Sequence, residues 1–277
     1  MYPPMPRVIQ FETTTICGGN CPHCPQRSVK RAEPTMSIDL ILKIIEGTKG
    51  TGTIYRPFIA GEPLADERMV DIVRMLKEDK TATVELHSNG LFLSSSTGMR
   101  LLDAGLDVMR LSIDGHWSET MEKARPGLDN RRVVRNAEQF LRYARDYPDV
   151  KVEVRMIADY ARDEEEKKLY RDHWEWRYGA NVIFTSLYNW PWTGQAEHIS
   201  ASCPKINDEM FILCDGRVVL CCWDAQARAV IGDITNTSVL DVWNGKELAR
   251  CRRLLDQGQR DQIELCSRCD AYTCGDD

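Results

Sequence analysis

The chain has 277 residues, of which 43% are hydrophobic and 28% are charged, and its formal net charge is −6. Acidic and basic residues are interspersed, so no cationic surface would attract a nucleic-acid backbone, and no apolar stretch approaches the roughly 20 residues that cross a bilayer. The start, MYPPMPRVIQFE, lacks the plan of a signal peptide, so we expect a cytoplasmic protein that acts on a small polar substrate or a peptide.

The first two-thirds of the chain alternate β-rich runs with helical patterns. The predicted strands are 8–11, 52–60, 82–88, 107–113, 150–157 and 181–187. Between them, apolar residues at helical spacing predict helices at 37–47, 66–78, 97–105, 131–146 and 164–179. Six strands with intervening helices predict an α/β fold with a parallel sheet, helices on its outer face and an active site at the carboxyl ends of the strands.

The pattern changes after about residue 195, where short strands, turns and cysteines replace the strand–helix alternation. We therefore predict two domains, residues 1–195 and 196–277. The second is expected to be a small, cysteine-rich unit of β-hairpin and helix.

Eleven cysteines indicate metal or redox chemistry, because the cytosol keeps thiols reduced and disulfides there are rare. Three of them form a C-x3-C-x2-C pattern directly after the first predicted strand. Gly18 and Gly19 would let the backbone fold tightly around one small centre. Three thiolates on a four-iron cluster leave one iron open, whereas a structural zinc ion prefers four protein ligands and would have to use His23. The three candidate ligands are Cys17, Cys21 and Cys24.

This loop resembles the signature of the radical S-adenosylmethionine (SAM) superfamily, and AGEPL (60–64), SNG (88–90), LSIDG and VEVRM follow it in the family's order. The resemblance implies a partial (β/α)6 barrel. It also implies a 4Fe-4S cluster whose open iron binds SAM and cleaves it to a 5′-deoxyadenosyl radical. The cofactor-binding positions that it implies are Gly61, Glu62, Pro63, Ser88, Asn89, Ser112 and Arg155.

The C-terminal cysteines resemble the SPASM domain and the shorter twitch domain of radical SAM enzymes, which bind auxiliary clusters. The resemblance implies one auxiliary 4Fe-4S cluster, with a structural zinc site at ELCSRC as the alternative. Cys214 and Cys222 are expected to be core residues. Cys222 is also the alternative to Cys221 as a cluster ligand. The implied ligands are Cys203, Cys221, Cys266 and Cys269.

The short length, the single twitch-like domain and the stretch CPQRSVKRAEPTMSIDL resemble radical SAM dehydrogenases and epimerases of aminoglycoside and aminocyclitol antibiotic biosynthesis. This implies hydrogen abstraction from a carbinol carbon, with a reduced flavodoxin or ferredoxin as electron donor. The first hypothesis is epimerisation, with hydrogen returned from Cys251 in the helical segment GKELARCRRLLDQG. The alternatives are two-electron dehydrogenation with the auxiliary cluster as acceptor, maturation of a ribosomally made peptide, and a non-enzymatic electron carrier or zinc scaffold.

Aromatic and polar residues follow the sixth predicted strand, where substrate would enter. They could stack on or hydrogen-bond a sugar ring, or they could form a packed domain junction. His116, Trp117 and Arg125 are weaker candidates of the same kind, and Asp114 and Glu85 could pair with a substrate ammonium. The principal substrate candidates are Tyr188, Asn189, Trp190 and Trp192.

Overall fold

The structure, a computed structural model, describes residues 2–187, 203–267 and 269. Within these residues the strands form one nine-stranded sheet in the order β6-β5-β4-β3-β2-β1-β7-β8-β9. The strands β1 to β9 are Val8–Phe11, Ile54–Arg56, Thr83–Ser88, Val108–Ser112, Lys151–Ile157, Asn181–Thr185, Glu209–Ile212, Arg217–Val219 and Val230–Asp233.

Helices connect the strands, and a π-helix, Asp172–Arg177, continues the sixth of them. The α-helices α1 to α9 are Ile38–Thr48, Met69–Leu76, Ser95–Asp103, Ser118–Ala124, Asn130–Ala144, Glu164–Arg171, Lys205–Asp208, Val239–Trp243 and Lys246–Asp256. Short 3-10 turns cover Pro25–Ser28, Pro63–Ala65, Ala158–Tyr160 and Arg260–Gln262. In the part of the chain that the structure describes, no helix is both long and apolar enough to span a membrane.

The six predicted strands are confirmed, and all six are parallel. The second strand is shorter than the predicted range 52–60. Gly52 takes a positive φ of 71° before it, and Pro57, which has no N–H for a strand ladder, follows it. Ser37 caps the first helix, since its side chain accepts a hydrogen bond from the Leu40 N–H.

Helix α4 has no counterpart among the predicted helices, and a distant residue holds its start. The buried carboxylate of Glu166, on α6, accepts hydrogen bonds from the backbone N–H groups of His116 and Trp117 and from the Thr120 hydroxyl. These groups would otherwise lack partners at a helix N-terminus. Because the cap lies about fifty residues away along the chain, local sequence pattern does not reveal it.

The strands divide their side chains between two unlike faces. On the helix side, alternate residues such as Leu86, Leu111 and Val154 are fully buried in the main core. On the opposite, concave side, most of the intervening residues are charged or polar, and Ile54, Val108 and Ile157 are apolar exceptions. The charged and polar ones on β2 to β5 include Arg56, Glu85, His87, Arg110, Ser112, Glu153 and Arg155. The partial barrel therefore has a polar interior, which suits a polar ligand rather than a packed hydrocarbon layer.

The C-terminal strands extend the same sheet rather than forming a separate one. Strand β7 pairs in parallel with β1, and β8 and β9 follow in antiparallel order. Gly216 makes the β7–β8 turn with a φ of +87°, and a Cβ there would lie 2.7 Å from Thr235. The predicted domain boundary at residue 195 lies outside the described residues and stays a prediction.

A buried ion pair ties the first strand to the C-terminal hairpin. Arg31 Nε lies 2.9 Å from Glu12 Oε2, and the two side chains are 1% and 0% exposed. The same carboxylate accepts the Cys214 N–H, while Arg31 also donates to the Ala225 carbonyl. The pair thus joins the start of the first cysteine loop to the segment that follows Cys221.

Candidate active site

The first cysteine loop begins six residues after β1 and brings its three thiols together. Cys24 N–H donates to the Cys21 carbonyl, and Gly19 N–H donates to Cys17 Sγ. A Cβ at Gly19 would lie 3.7 Å from Cys17 Sγ and 3.6 Å from Cys21 Sγ. Both sulfurs therefore lie within van der Waals distance of the side-chain position of Gly19.

The surroundings of these thiols favour a bound cationic centre. Burial is the main cause that raises the pKa of each thiol, and for Cys17 the value reaches about 11. The nearby carboxylate of Glu62 and the other two thiols raise the Cys17 value further. Three thiolates so close together need a positive metal centre to hold them ionised.

The number of thiols in the loop fits a cluster with one open iron better than a structural zinc ion. Zinc in structural sites takes four protein ligands, and this loop supplies three thiols. Three convergent but separate sulfurs are the ligand set that a 4Fe-4S cluster requires when one iron stays open.

Glu62, which the resemblance implies is a SAM-binding residue, accepts hydrogen bonds from the protein through its carboxylate. It accepts hydrogen bonds from Ser88 Oγ at 2.8 Å, Asn89 N at 2.7 Å and Leu64 N at 3.1 Å. Burial is the main cause that raises its pKa, and these three hydrogen bonds act against it. Glu62 thus locks the loops after β2 and β3 together, while its contact with SAM stays a prediction.

The backbone beside Glu62 packs directly on the cysteine loop. A Cβ at Gly61 would lie 2.0 Å from the Thr14 carbonyl oxygen, so no other residue fits there without a shift of the main chain. The Glu62 N–H donates to the Ile16 carbonyl at 2.8 Å, and Pro63 is buried. Asn89 reaches the loop from β3, with Nδ2 at 3.7 Å from Cys17 Sγ.

An ion pair between Asp114 and Arg125 lies against the second cysteine of the loop. Arg125 Nε is 2.5 Å from Asp114 Oδ2, and Nη1 is 3.8 Å from Cys21 Sγ. Burial alone would lower the pKa of Arg125, but the Asp114 carboxylate and the Cys21 thiol outweigh it and raise the value. The sequence pattern offers these two residues only as substrate candidates and does not reveal their contact with the cluster loop.

A cavity of about 200 Å³ opens at the carboxyl ends of strands β3 to β6. Ser112 and Arg155 line it, as the family resemblance implied, although their SAM contacts stay predictions. His23 of the cysteine loop and Trp223 of the C-terminal region also line it, so both cysteine-rich segments reach one cavity. Its lining residues are His23, His87, Ser112, Asp114, Arg125, Arg155, Ile157, Thr185, Ser186, Leu187 and Trp223.

The C-terminal cysteines predicted to bind the auxiliary cluster influence one another electrostatically. Burial first, and then the thiols of Cys203 and Cys269, raise the pKa of Cys266 to about 12. A hydrogen bond with Cys222, burial and the thiol of Cys203 raise the pKa of Cys221. These mutual effects indicate that the four predicted ligands are neighbours, and the same argument for a cationic centre applies to them.

Cys214 is buried at 3% exposure, and its thiol donates to the Glu33 carbonyl, as expected of a core residue. Cys222 packs beside a small core cluster of Phe211, Leu213 and Val219. Cys222 also shares a hydrogen bond with Cys221. Cys222 therefore stays the alternative to Cys221 as a ligand of the auxiliary cluster.

Cys251, the predicted hydrogen donor, lies on α9 and does not line the cavity at the strand ends. It is buried and lines a cavity of about 440 Å³ together with Glu247, Arg250 and Ile263. None of the residues that line this cavity lines the one at the strand ends. Cys251 also raises the pKa of Cys266, which places it near the auxiliary cysteines.

The predicted substrate residues after β6 lie outside the described residues, so their role stays a prediction. They are Tyr188, Asn189, Trp190 and Trp192. Cys274 also lies outside the described residues.

Comparison with protein families gives two adjacent matches. The model of the radical SAM superfamily matches residues 11–172, more than half of the chain. The chain belongs to the radical SAM superfamily. The model of an iron-sulfur cluster-binding domain, SPASM, matches residues 203–270. The cofactors of the chain are therefore a SAM-binding 4Fe-4S cluster, SAM itself and an auxiliary iron-sulfur cluster.

Among curated proteins, the chain is similar to the S-adenosyl-L-methionine-dependent 2-deoxy-scyllo-inosamine dehydrogenase of Niallia circulans. The two are 22% identical over 273 residues, which cover 95% of this chain and 92% of that protein. The chain is also 33% identical over 110 residues to the GTP 3′,8-cyclase of Limosilactobacillus fermentum, over 38% of this chain. That match spans only about a third of the cyclase, 33% of its length.

Among solved structures, the chain is similar to BtrN in complex with AdoMet and 2-DOIA. The TM-score is 0.68 at 19% identity, and the alignment covers 98% of this chain and 94% of that one. At this level of identity the likeness shows the fold. It confirms the predicted radical SAM architecture over nearly the whole chain.

Proposed function

We propose that the protein is a radical SAM dehydrogenase that oxidises a secondary alcohol of an aminocyclitol-type substrate to a ketone. The observation that carries this proposal is the position of Trp223, which lines the cavity at the strand ends together with His23, Arg125 and Arg155. Trp223 lies two residues after Cys221, a predicted auxiliary ligand. A substrate in this cavity would contact segments that belong to both cysteine loops.

Dehydrogenation requires a substrate position close to both cysteine loops. The alcohol loses one hydrogen as an atom and the other as a proton and an electron. When bound, the cofactors supply a 5′-deoxyadenosyl radical that takes one hydrogen atom from the carbinol carbon and a cluster that accepts one electron. The hydroxyl then gives up a proton as the C=O bond forms, so the atoms and electrons balance. In the protein, Cys17, Cys21 and Cys24 would hold the first cluster, and Cys203, Cys221, Cys266 and Cys269 the second.

The chain's own residues bind and orient the substrate. Arg125 is held by Asp114, and Arg155 Nη2 lies 3.1 Å from Glu153, so the cations that line the cavity are fixed in place. The indole of Trp223 offers an apolar surface for the ring of a cyclitol. The polar interior below, with Arg110 and Glu153, suits a substrate rich in hydroxyl groups.

The positions of Cys251 and Arg155 in separate cavities favour dehydrogenation over epimerisation. Hydrogen return from Cys251 would require its thiol to reach a substrate that the other cavity holds. The dehydrogenase relative, which matches almost the full chain, supports the same choice. The partial matches to GTP 3′,8-cyclases cover too little of those enzymes to support their reaction here.

We infer that the protein works in the cytoplasm with a reduced flavodoxin or ferredoxin as electron donor. The inference rests on the number of free cysteines, since an oxidising compartment would threaten both sets of cluster ligands. A place in antibiotic biosynthesis follows from the proposed aminocyclitol substrate.

Product analysis in deuterated water tests the proposed reaction. Anaerobically reconstituted protein is incubated with SAM, reductant and 2-deoxy-scyllo-inosamine, and the products are examined by mass spectrometry. We expect a ketone that has lost two hydrogens relative to the alcohol. We expect Cys251→Ala to form it at close to the wild-type rate.

Epimerisation would give a product that differs from the ketone. A product of unchanged hydrogen content that carries one solvent deuterium at an inverted carbon, and that disappears in Cys251→Ala, would establish epimerisation. It would overturn the proposed dehydrogenation.

A further inference from the structure

His87 occupies the concave face of β3, at the inner end of the cavity that holds Arg155 and Trp223. Its ring stacks on Phe58, with centroids 4.3 Å apart and planes inclined by 26°. The stacking fixes the plane of the imidazole.

Arg110 decides which nitrogen of His87 carries the proton. Its guanidinium is held by Glu85 at 2.7 Å and Glu153 at 2.6 Å, and its Nη1 lies 2.9 Å from His87 Nε2. Since a guanidinium only donates hydrogen bonds, Nε2 must be the acceptor. A neutral ring that accepts at Nε2 carries its hydrogen on Nδ1.

The ring stays neutral because its neighbours are cations. Burial, followed by the charges of Arg110, Arg155 and Arg56, lowers the pKa of His87 well below its usual range. The acids that face the ring, Glu85 and Glu153, are already paired with arginines. With Nε2 engaged and Nδ1 protonated, His87 is a hydrogen-bond donor and not a general base.

Nδ1 of His87 has no hydrogen-bond partner among the residues that the structure describes, although the ring lines the cavity. Ser112 and Arg155 lie on the neighbouring strands of the same wall, and both carry donors. These donors fit an oxygen, whose lone pairs accept, and the Asp114 carboxylate that also lines the cavity is already paired with Arg125. The wall formed by β3 to β5 therefore disfavours an ammonium group, which brings three more donors and a positive charge.

We propose that His87 contacts the substrate, donates its Nδ1–H to a substrate oxygen and so selects oxygen rather than ammonium at this end of the cavity. This inference rests on the proposed alcohol oxidation. It assigns the substrate's orientation: an oxygen faces β3 and β4, and the amino group of an aminocyclitol lies away from them.

Two substitutions separate the two nitrogens of the ring. In His87→Gln, the amide lies near the former Nε2 and can accept from Arg110, but no donor remains at the Nδ1 position. In His87→Asn, the amide lies near Nδ1 and can replace the donor. We expect His87→Gln to raise the KM for 2-deoxy-scyllo-inosamine roughly two- to tenfold, to leave the KM for SAM unchanged and to lower the ketone formed per 5′-deoxyadenosine. His87→Asn should retain more of the wild-type behaviour.

Equal KM values for the alcohol in His87→Gln and the wild type would overturn the proposal. So would a larger loss in His87→Asn than in His87→Gln, because the contact with Arg110 would then be the one that matters. His173→Gln, which changes a histidine on the π-helix that is paired with Glu138, is the control for loss of an imidazole.

A measurement without substrate separates this inference from the proposed function. Nitrogen NMR of the ¹⁵N-histidine-labelled, reconstituted protein, assigned with His87→Gln, reports which ring nitrogen carries the proton. We expect a neutral ring with the proton on Nδ1 between pH 6 and 8, whereas a proton on Nε2 or a cationic ring would overturn the inference. If the wild type fails to oxidise the alcohol but the Nδ1 tautomer is found, only the proposed function fails.

Discussion

Replacement of Cys21 by alanine should reduce the formation of 5′-deoxyadenosine to background. Cys21 is the central thiol of the first loop, and its sulfur lies beside both the Cys17 sulfur and the Arg125 guanidinium. Loss of one of only three ligands leaves the cluster without a stable attachment, and SAM then has no open iron to bind. Chromatographic quantification of 5′-deoxyadenosine in an anaerobic assay measures the effect. Iron analysis should show a loss of about four of about eight irons per chain.

Cys251→Ala is the matched control for this substitution. It also removes a buried thiol, but one that lies in the separate cavity of about 440 Å³ beside α9. It should keep its iron and cleave SAM normally. Wild-type cleavage by Cys21→Ala would show that the first loop does not hold the SAM-binding cluster.

Replacement of Arg31 by methionine should destabilise the folded protein by about 3–5 kcal/mol, because it leaves the carboxylate of Glu12 buried without its partner. Both side chains of the pair are almost completely buried, so solvent does not screen the loss. The substitution also removes the hydrogen bond to the Ala225 carbonyl. The free energy of unfolding, from urea titrations of the reconstituted protein, measures the effect.

Two further variants show whether the unpaired charge is the cause. Arg250→Met breaks the pair with Glu247, whose side chains are 51% and 61% exposed, and should cost less than about 1 kcal/mol. The double substitution Glu12→Gln with Arg31→Met should be more stable than Arg31→Met alone, since no buried charge is left uncompensated. A double variant that is less stable than the single one would refute this explanation.

Much of the barrel could be predicted because its information is local. Alternating apolar residues such as Leu86, Leu111 and Val154 mark strands that pack against helices, and the side chain of Ser37 caps the helix that it precedes. Helix α4 could not be predicted in this way. Its start depends on the Glu166 carboxylate, which the fold brings from about fifty residues away.

The same division applies to the site. The spacing of Cys17, Cys21 and Cys24 identified the cluster loop, since short-range ligands leave a short-range pattern. The contact of Arg125 with Cys21, and the reach of Trp223 into the cavity, arise from the packing of distant segments. Cys251 shows the opposite problem: the sequence identified a spare thiol, but only the fold shows that it lines a different cavity from Arg155.

The central claim is that one cavity presents the substrate to both cysteine loops, so that the auxiliary cluster receives the electron. The most direct measurement is the amount of ketone formed per 5′-deoxyadenosine in the wild type and in Cys266→Ala, under single-turnover anaerobic conditions. We expect about one ketone per 5′-deoxyadenosine in the wild type, and continued 5′-deoxyadenosine formation without ketone in the variant. Ketone at the wild-type ratio in Cys266→Ala would contradict this claim.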